Sequence, residues 1–207
     1  LVLLSHGHLD HAGGLAGLVR WFPVDRLLIT HENDSKYVEN VINDRNLRKN
    51  INFVGKIESN QKIQQKNSIL DIVEAPETGE GEGSGNENSA IVRVRCGGHS
   101  LLFTGDAPAG TEQAAAGKAV RSDVLKIAHH GSKTSSDEGF LAAVDPRLAV
   151  ISVGRRNRFG HPHPETLDRL EGFRIPVART DPAGAIKVIF DEWGPVWYSY
   201  RWQQDCF

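Results

Sequence analysis

Apolar and polar positions along the chain alternate between short strand-like runs and longer stretches with helical spacing. Continuous or alternating apolar runs predict strands at residues 1–5, 26–30, 51–54, 68–74, 89–95, 99–104, 122–128, 147–153, 175–179, 185–191 and 196–202. Helical spacing or helix-favouring composition predicts helices at residues 13–21, 34–46, 110–119, 136–144 and 164–172. Residues 75–88 contain no large apolar side chain and predict a mobile loop. Strands that alternate with helices in both halves indicate an α/β fold of two sheets packed between helices.

The composition is that of an ordinary globular protein. The 207 residues are 39% hydrophobic and 24% charged, and we expect residues 1–207 to form one domain with a sizeable core. The formal net charge of −2 gives no sign of a nucleic-acid partner. No apolar run is long enough to span a bilayer, and Cys96 and Cys206 do not indicate a disulfide. The chain lacks Met and opens inside a predicted strand, so we expect it to be a fragment.

The densest cluster of candidate chemistry follows the first apolar run, in the sequence Ser-His-Gly-His-Leu-Asp-His-Ala-Gly-Gly of residues 5–14. Neutral imidazole and carboxylate are the usual protein ligands of divalent metals. In extended chain His6 and His8 point the same way, whereas the adjacent Asp10 and His11 diverge and would serve a second ion. The spacing predicts a metal-binding loop. A polar loop without metal and a single structural zinc site are the alternatives.

Two later strand ends supply further candidates. Asp106 follows the predicted strand 99–104, where it is either an ordinary turn residue or a carboxylate that bridges two cations about 3.5–4 Å apart. His129 and His130 follow the predicted strand 122–128, and one of them should complete the shell of the second ion. We expect His129 to be the ligand and His130 its support, with the reverse as the alternative.

A cationic loop follows the predicted strand 147–153. It contains three arginines and two histidines: Arg155, Arg156, Arg158, His161 and His163. Guanidinium groups suit phosphate oxygens, so the loop predicts a phosphate-containing substrate, with an ordinary solvated loop as the alternative. The Gly131-Ser132 turn would add backbone N–H groups and a hydroxyl for the same anion.

Aromatic residues cluster near the C-terminus, at Trp193, Trp197, Tyr198, Tyr200 and Trp202. Most aromatic side chains serve burial, so we expect this cluster to form a packed edge of the core. Stacking on nucleobases is the alternative.

These motifs together resemble a known family. The string His-x-His-x-Asp-His-x-Gly-Gly after a strand resembles the signature of the metallo-β-lactamase superfamily. With Asn88-Ser89, Leu-Phe-Thr-Gly-Asp, Leu-Lys-Ile-Ala-His-His-Gly-Ser and the segment 152–165, the chain closely resembles the C-terminal metallo-hydrolase domain of the ComEC family of competence DNA-uptake proteins. The resemblance implies a four-layer αββα sandwich in which Asp106 is the bridging aspartate. Domains of this type usually begin with further strands, so we expect one sheet to lack strands in this chain.

The resemblance implies a nuclease that degrades the non-transforming DNA strand at the extracytoplasmic face of the membrane, beside the rest of an uptake channel. Its DNA partner would be single-stranded. It further implies two divalent cations held by six side chains: His6, His8, Asp10, His11, Asp106 and His129. Superfamily members often have another histidine before the bridging aspartate, where this chain has Asn86, Asn88 and Ser89. Fewer imidazoles favour Mn²⁺, with Zn²⁺ as the alternative.

The roles expected in hydrolysis follow from these placements. Asp10 would orient the attacking water, and His130 or His161 would protonate the leaving 3′-oxygen. Substrate would contact Asn88, Ser132, Lys133, Arg155, Asn157, Arg158 and His161. Two hypotheses compete with the nuclease: an esterase of the same fold acting on a small or wall-bound phosphodiester such as phosphorylcholine, and a module with a weakened metal site that guides DNA without cleaving it.

Overall fold

The computed structural model describes residues 1–30, 35–75 and 85–200, and the predicted mobile loop over 75–88 lies largely outside these residues. The strands are β1 (Val2–Leu3), β2 (Val24–Ile29), β3 (Ile51–Lys56), β4 (Lys62–Gln65), β5 (Ser68–Glu74), β6 (Ile91–Cys96), β7 (His99–Phe103), β8 (Val124–Lys126), β9 (Leu148–Ile151), β10 (Val177–Arg179), β11 (Ala185–Asp191) and β12 (Gly194–Tyr200). The helices are α1 (Leu9–Ala12), α2 (Leu15–Trp21), α3 (Lys36–Asn43), α4 (Arg45–Arg48), α5 (Ala109–Ala116), α6 (Glu138–Val144), α7 (Pro164–Gly172) and α8 (Thr180–Ala183). Two short 3₁₀ turns span Gly85–Asn88 and Ala128–Gly131.

The strands form two sheets and a separate hairpin. Seven strands make a mixed sheet in the order β10-β9-β8-β7-β6-β5-β4, in which β7 to β10 are parallel. The strands β1, β2 and β3 form a parallel sheet, and β11 pairs with β12 in antiparallel register. The carboxyl ends of parallel strands lie at one edge of a sheet, so the loops after β7, β8 and β9 meet there. The loop after β1 joins them, because the Ala90 N–H donates to the Ser5 carbonyl at 2.9 Å.

Apolar side chains stack the elements in four layers. The helices α5, α6 and α7 cover one face of the seven-stranded sheet, where Phe140 and Leu102 share a buried cluster. The helices α2 and α3 cover the outer face of the three-stranded sheet around Leu27. The neighbouring Leu28 faces the other way, as alternation along a strand requires, and meets Ile72 of the large sheet. The predicted α/β class and the αββα sandwich are confirmed.

Several elements differ from the sequence prediction, among them the short helix α8, which was not predicted. The stretch 5–14, predicted as a loop, contains α1. The predicted helix 34–46 divides at Asp44, whose ψ of 111° is extended and whose side chain accepts the Asn46 N–H at 2.8 Å. Aspartate at this position caps the next helix and ends the previous one. The strand β4 escaped prediction because it carries a single buried side chain, Ile63.

The aromatic cluster near the C-terminus is exposed, so its predicted burial is wrong. The inner face of β11 packs on the large sheet, but four predicted core residues remain exposed: Trp193, Trp197, Tyr198 and Tyr200. Trp202 lies outside the described residues. A two-stranded hairpin buries only the face that packs on the sheet. Within the described part of the chain, no further layer covers most of the aromatic side chains.

Candidate metal centre

The loops after β1, β7 and β8 bring two groups of candidate ligands together. One group contains His6, His8 and Asp106, and the other contains Asp10, His11, Asp106 and His130. Within each group, one nitrogen or oxygen atom per residue lies within 4.8 Å of the others. Asp106 belongs to both groups, as expected of a carboxylate shared by two cations.

A one-turn helix divides the histidine-rich loop between the two groups. His6 and His8 precede α1, and their rings meet edge-on with centroids 4.7 Å apart. Asp10 and His11 lie inside α1, which directs them toward the loop after β8. As a result, Asp10 Oδ2 lies 3.0 Å from His130 Nε2.

Asp106 enters the centre through a turn that requires glycine. Gly105 has a φ of +53°, and a Cβ atom there would lie 2.9 Å from the Cβ of Ser5. The Asp106 N–H donates to Ser89 Oγ at 3.1 Å. Asp106 is 3% exposed, and its Oδ1 lies 3.1 Å from His11 Nε2. The turn therefore holds a buried carboxylate against the histidine-rich loop.

The two histidines after β8 have left-handed backbones, and this decides their placement. The φ angle is +46° at His129 and +54° at His130, in a region that residues other than glycine seldom adopt. These two consecutive left-handed residues bring His130 into the ligand group that contains Asp10 and His11. The same backbone conformation directs His129 toward Asn86, whose Nδ2 lies 3.4 Å from His129 Nε2. The structure therefore favours His130 as the ligand, which the sequence analysis gave as the alternative to His129.

The hydrogen bonds of His130 leave one ring nitrogen directed at the centre. Its Nδ1 donates to the Ser152 carbonyl at 2.7 Å, because a carbonyl oxygen can only accept. Its Nε2 faces Asp10 Oδ2 at 3.0 Å and Asp106 Oδ2 at 3.5 Å. A nitrogen lone pair is repelled by carboxylates unless a proton or a cation lies between them. Accordingly, the hydrogen bond to Asp106 raises the pKa of His130.

Three buried ligand atoms lack a hydrogen-bond partner among the residues described: His6 Nε2, His11 Nε2 and Asp106 Oδ1. An unsatisfied buried polar atom costs about 1–3 kcal/mol, and divalent cations in the two ligand groups would satisfy all three. Burial, followed by the charge of His11, lowers the pKa of His6 to about 3, so its imidazole is neutral at about pH 7. Burial disfavours the charged form of Asp106, but the close approach of His11 and His130 outweighs it and lowers the pKa of Asp106. Neutral imidazoles and ionised carboxylates bind metals, so the residues fit divalent cations.

Backbone N–H groups of the turn after His130 form hydrogen bonds within the protein. Ser132 is buried, and its N–H donates to the His129 carbonyl at 2.9 Å. The Lys133 N–H donates to His163 Nδ1 at 3.0 Å. The N–H groups of Ser132 and Lys133 are therefore already engaged, which leaves the predicted anion site at the Gly131-Ser132 turn with fewer donors.

Two residues that the sequence did not single out brace the same loop from α5 and α7. Glu112 is buried and accepts the Ser136 N–H at 2.5 Å. Arg169 donates to the carbonyls of Lys133, Ser135 and Ser136, each at 3.0 Å. Burial raises the pKa of Glu112 to about 8. The loop after β8 thus has a shape that the surrounding protein fixes.

A cavity of about 490 Å³ opens over the two ligand groups. Its lining combines candidate ligands with residues of the arginine-rich loop: His8, Leu9, Asp10, Asn86, Asp106, His129, His130, Arg158, Phe159 and His161. Arg158 and His161 are the predicted substrate residues that reach it. Five others are not among its lining residues: Asn88, Ser132, Lys133, Arg155 and Asn157.

Asn157 shapes the arginine-rich loop instead of lining the cavity. Its Oδ1 accepts the His161 N–H at 2.9 Å, and its Nδ2 donates to the His161 carbonyl at 2.8 Å. Because one side chain binds both backbone groups of His161, it fixes that residue at the cavity. Burial, followed by the neighbouring His163, lowers the pKa of His161. Three lining residues were given no role in metal or substrate binding by the sequence analysis: Leu9, Asn86 and Phe159. Only the isolated aromatic among arginines could have drawn attention to Phe159.

Comparisons with known proteins agree with this geometry. The profile of the family described as the metallo-beta-lactamase superfamily matches residues 1–155. ComE operon protein 3 of Bacillus subtilis is 31% identical over 195 residues, which cover 90% of this chain and 24% of that protein. Recombination protein 2 of Haemophilus influenzae is 31% identical over 189 residues, which cover 91% of this chain and 22% of that protein. The chain thus spans about a quarter of the length of these relatives.

Two solved structures share the fold at low sequence identity. Zn(2+)-bound PqqB from Methylobacterium extorquens has a TM-score of 0.57 and 17% identity, and the match covers 86% of this chain and 70% of that one. The metallo-beta-lactamase fold protein YhfI from Bacillus subtilis has a TM-score of 0.52 and 12% identity over 86% of this chain and 73% of that one. Within residues 1–30, 35–75 and 85–200, no helix has the length and apolar character needed to cross a membrane.

Proposed function

The chain belongs to the metallo-β-lactamase superfamily, and from that premise we propose that it is a divalent-metal-dependent nuclease that hydrolyses phosphodiester bonds of single-stranded DNA. One observation carries the proposal: members of both ligand groups and the cationic side chain of Arg158 line the same cavity, together with His161. A guanidinium opposite a cation pair neutralises phosphate oxygens from two sides. A neutral amide or thioester substrate offers Arg158 no comparable charge.

The chain's own side chains orient the reactants and neutralise charge. Divalent cations, when bound, would polarise the phosphate and make water more acidic. Asp10 has a side chain 58% exposed and lines the cavity, where it is placed to orient the attacking water. Arg158 and His161 are placed to hold the non-bridging phosphate oxygens as negative charge builds. His130 belongs to a ligand group, so His161 is the proposed proton donor to the leaving 3′-oxygen, a role that requires the bound phosphate to offset the lowering of its pKa.

The ligand chemistry favours Mn²⁺, with Zn²⁺ as the alternative. The first group offers two imidazoles and one carboxylate, and the second offers two imidazoles and two carboxylates. Oxygen-rich sites suit Mn²⁺, whereas structural zinc sites are usually richer in cysteine or histidine. The metal content of the purified protein decides between them.

The names of the relatives extend the proposal to DNA uptake. Competence protein ComA of Neisseria gonorrhoeae is 37% identical over 130 residues, which cover 59% of this chain and 19% of that protein. On this proposal the chain is a single domain of a membrane uptake channel, lies at the extracytoplasmic face and degrades the non-transforming strand. Protease added to intact spheroplasts should therefore digest the domain, and protection from that protease would contradict the location.

Digestion of a labelled single-stranded oligonucleotide by the purified domain tests the activity. We expect cleavage that requires Mn²⁺ or Zn²⁺ and stops with a chelator. Arg158→Ala should lower kcat/KM by about tenfold or more, because a charge-assisted contact worth about 1.5–3 kcal/mol is lost. Arg20→Ala is the matched control, since Arg20 is an exposed arginine of α2.

Each competing hypothesis has its own outcome in that experiment. Metal-loaded protein that binds DNA with strong salt dependence but never cleaves it would support the DNA-guiding module. Cleavage of a small phosphodiester without cleavage of DNA would support the esterase. Either result would contradict the nuclease.

A further inference from the structure

Phe159 lies at the cavity with most of its ring in solvent. It is 62% exposed, and it lines the same cavity as Asp106 and Arg158. An exposed phenyl ring adds little to the core, because the stabilisation from an apolar side chain scales with the area that it buries. A flat apolar surface beside candidate metal ligands is therefore suited to a flat group of the substrate.

Two neighbours of Phe159 also present planar groups beside the cavity. The guanidinium carbon of Arg158 lies over the phenyl ring, 5.0 Å from its centre, so a base would stack on the part of the ring that stays exposed. The His161 ring is nearly parallel to the phenyl ring, with an interplanar angle of 24° and centroids 5.9 Å apart. Guanidinium, phenyl and imidazole planes all stack on nucleobases, and the guanidinium also attracts phosphate.

The surface is fixed relative to the ligand groups. The His163 N–H donates to the Gly131 carbonyl at 2.9 Å, next to His130. A Cβ atom on Gly131 would lie 2.5 Å from the Cβ of Pro162, so the two loops pack closely there. With His161 held by Asn157, the position of the ring is set by the loop that also contacts the metal centre.

We propose that Phe159 is a stacking platform for the nucleobase beside the scissile phosphate, so that the site selects unpaired bases. The proposal rests on the nuclease function. Stacking of one base on an aromatic side chain contributes about 1–3 kcal/mol. A base inside a duplex is already stacked, and its removal costs a few kcal/mol. Phe159 therefore acts as a specificity residue that favours single strands.

Two matched substrates test the platform: an oligothymidylate, and an oligomer of the same length with abasic tetrahydrofuran sites. Phe159→Ala should lower kcat/KM on the oligothymidylate by about tenfold, the equivalent of about 1.4 kcal/mol of stacking. It should leave the abasic oligomer unchanged. Phe159→Trp should retain activity on both, which shows that the loop still folds. Phe53→Ala, at an exposed phenylalanine of β3, should change neither.

Equal losses on the two substrates would overturn the proposal, because the ring would then act on the loop and not on a base. No loss on either substrate would overturn it as well. Wild-type protein that cleaves neither oligomer would contradict the nuclease function instead. In that case the affinities of wild type and Phe159→Ala for the two oligomers decide, and equal affinity of wild type for both would overturn the platform.

Discussion

The loop after β1 and the loop after β8 both supply histidines to the metal centre, but different interactions hold them. In the first loop, the Nε2 atoms of His6 and His11 have no hydrogen-bond partner in the described ranges. In the second loop, both ring nitrogens of His130 have partners, and Glu112 and Arg169 bind the backbone beyond it. A cation would therefore add a partner to two ring nitrogens of the first loop, whereas the ring nitrogens of His130 already have partners in the protein.

This difference shows where the energy of metal binding acts. A cation that satisfies unpaired buried atoms stabilises the segment that carries them, so metal binding and local folding are coupled there. A segment that the protein has already fixed gains little further order. We therefore expect metal to order the loop after β1 and to leave the loop after β8 nearly unchanged.

The largest effect should come from Asp106→Ala, which removes the carboxylate that the two loops share. We expect cleavage to fall by at least about a thousandfold, since several kcal/mol of charge stabilisation is lost. Elemental analysis should show that both cations are lost or reduced. Asp25→Ala, at an exposed aspartate of β2, is the control. Full retention of both cations by the Asp106 variant would contradict the assignment of Asp106 as the carboxylate that both ligand groups share.

The next effect separates His130 from His129, two neighbours with the same left-handed backbone. His130→Ala should lose one cation and at least about a hundredfold in cleavage. His129→Ala should keep both cations, because its ring lies beside Asn86 and outside the ligand group. The opposite pattern in elemental analysis would restore the assignment made from sequence.

Amide hydrogen exchange after removal of the metal tests whether the loop after β1 depends on metal more than the loop after β8. After chelation, the amides of α1 should exchange about tenfold faster, since loss of the cation weakens the segment by about 1.4 kcal/mol or more. The Lys133 and Ser136 amides should be unaffected, because His163 and Glu112 accept their hydrogen bonds. Equal acceleration in both loops would show that the loop after β8 also depends on metal.

The smallest effect concerns Glu112, which accepts the Ser136 N–H in the loop after β8. It appears as a pH dependence of the free energy of unfolding. Burial raises the pKa of Glu112 from 4.5 to about 8, so between these values the folded protein keeps a proton that the unfolded chain has released. The contribution of this group to stability is complete below pH 4.5 and is lost as the pH rises through about 8. Glu112→Gln cannot ionise but can still accept the Ser136 N–H. Urea unfolding of the metal-free protein should show a flatter pH dependence for this variant, and an unchanged slope would contradict it.

Sequence patterns predicted the fold better than they predicted the site. Alternation and helical spacing located most strands and helices, because burial of one face sets both patterns. The aromatic hairpin failed because a residue's type does not reveal whether another layer covers it. The first loop was readable because its candidate ligands are close in sequence. The roles of His129 and His130 were not, since the rule of alternating sides assumes extended backbone and their φ angles are positive.

Contacts between residues far apart in sequence set a second limit on what the sequence predicted. Glu112 and Arg169 lie 24 and 33 positions from Ser136, which both of them bind. Nothing in their local sequence marks them, because the contact exists only once α5 and α7 have packed on the sheet. In the same way, Asn157 was predicted to bind substrate, but its amide is used to hold His161. Side chains with suitable chemistry are thus easier to find than the partner each one serves.

The left-handed backbone at His129 also limits which residues can replace it. Valine, isoleucine and threonine strongly disfavour a φ of +46°, whereas asparagine, aspartate and glycine accept it. A library of all substitutions at this position should therefore rank amino acids by their tolerance of that main-chain conformation. If only a few amino acids are tolerated at position 129, the backbone conformation is a sufficient reason. Such a result would not prove that an imidazole is needed for chemistry.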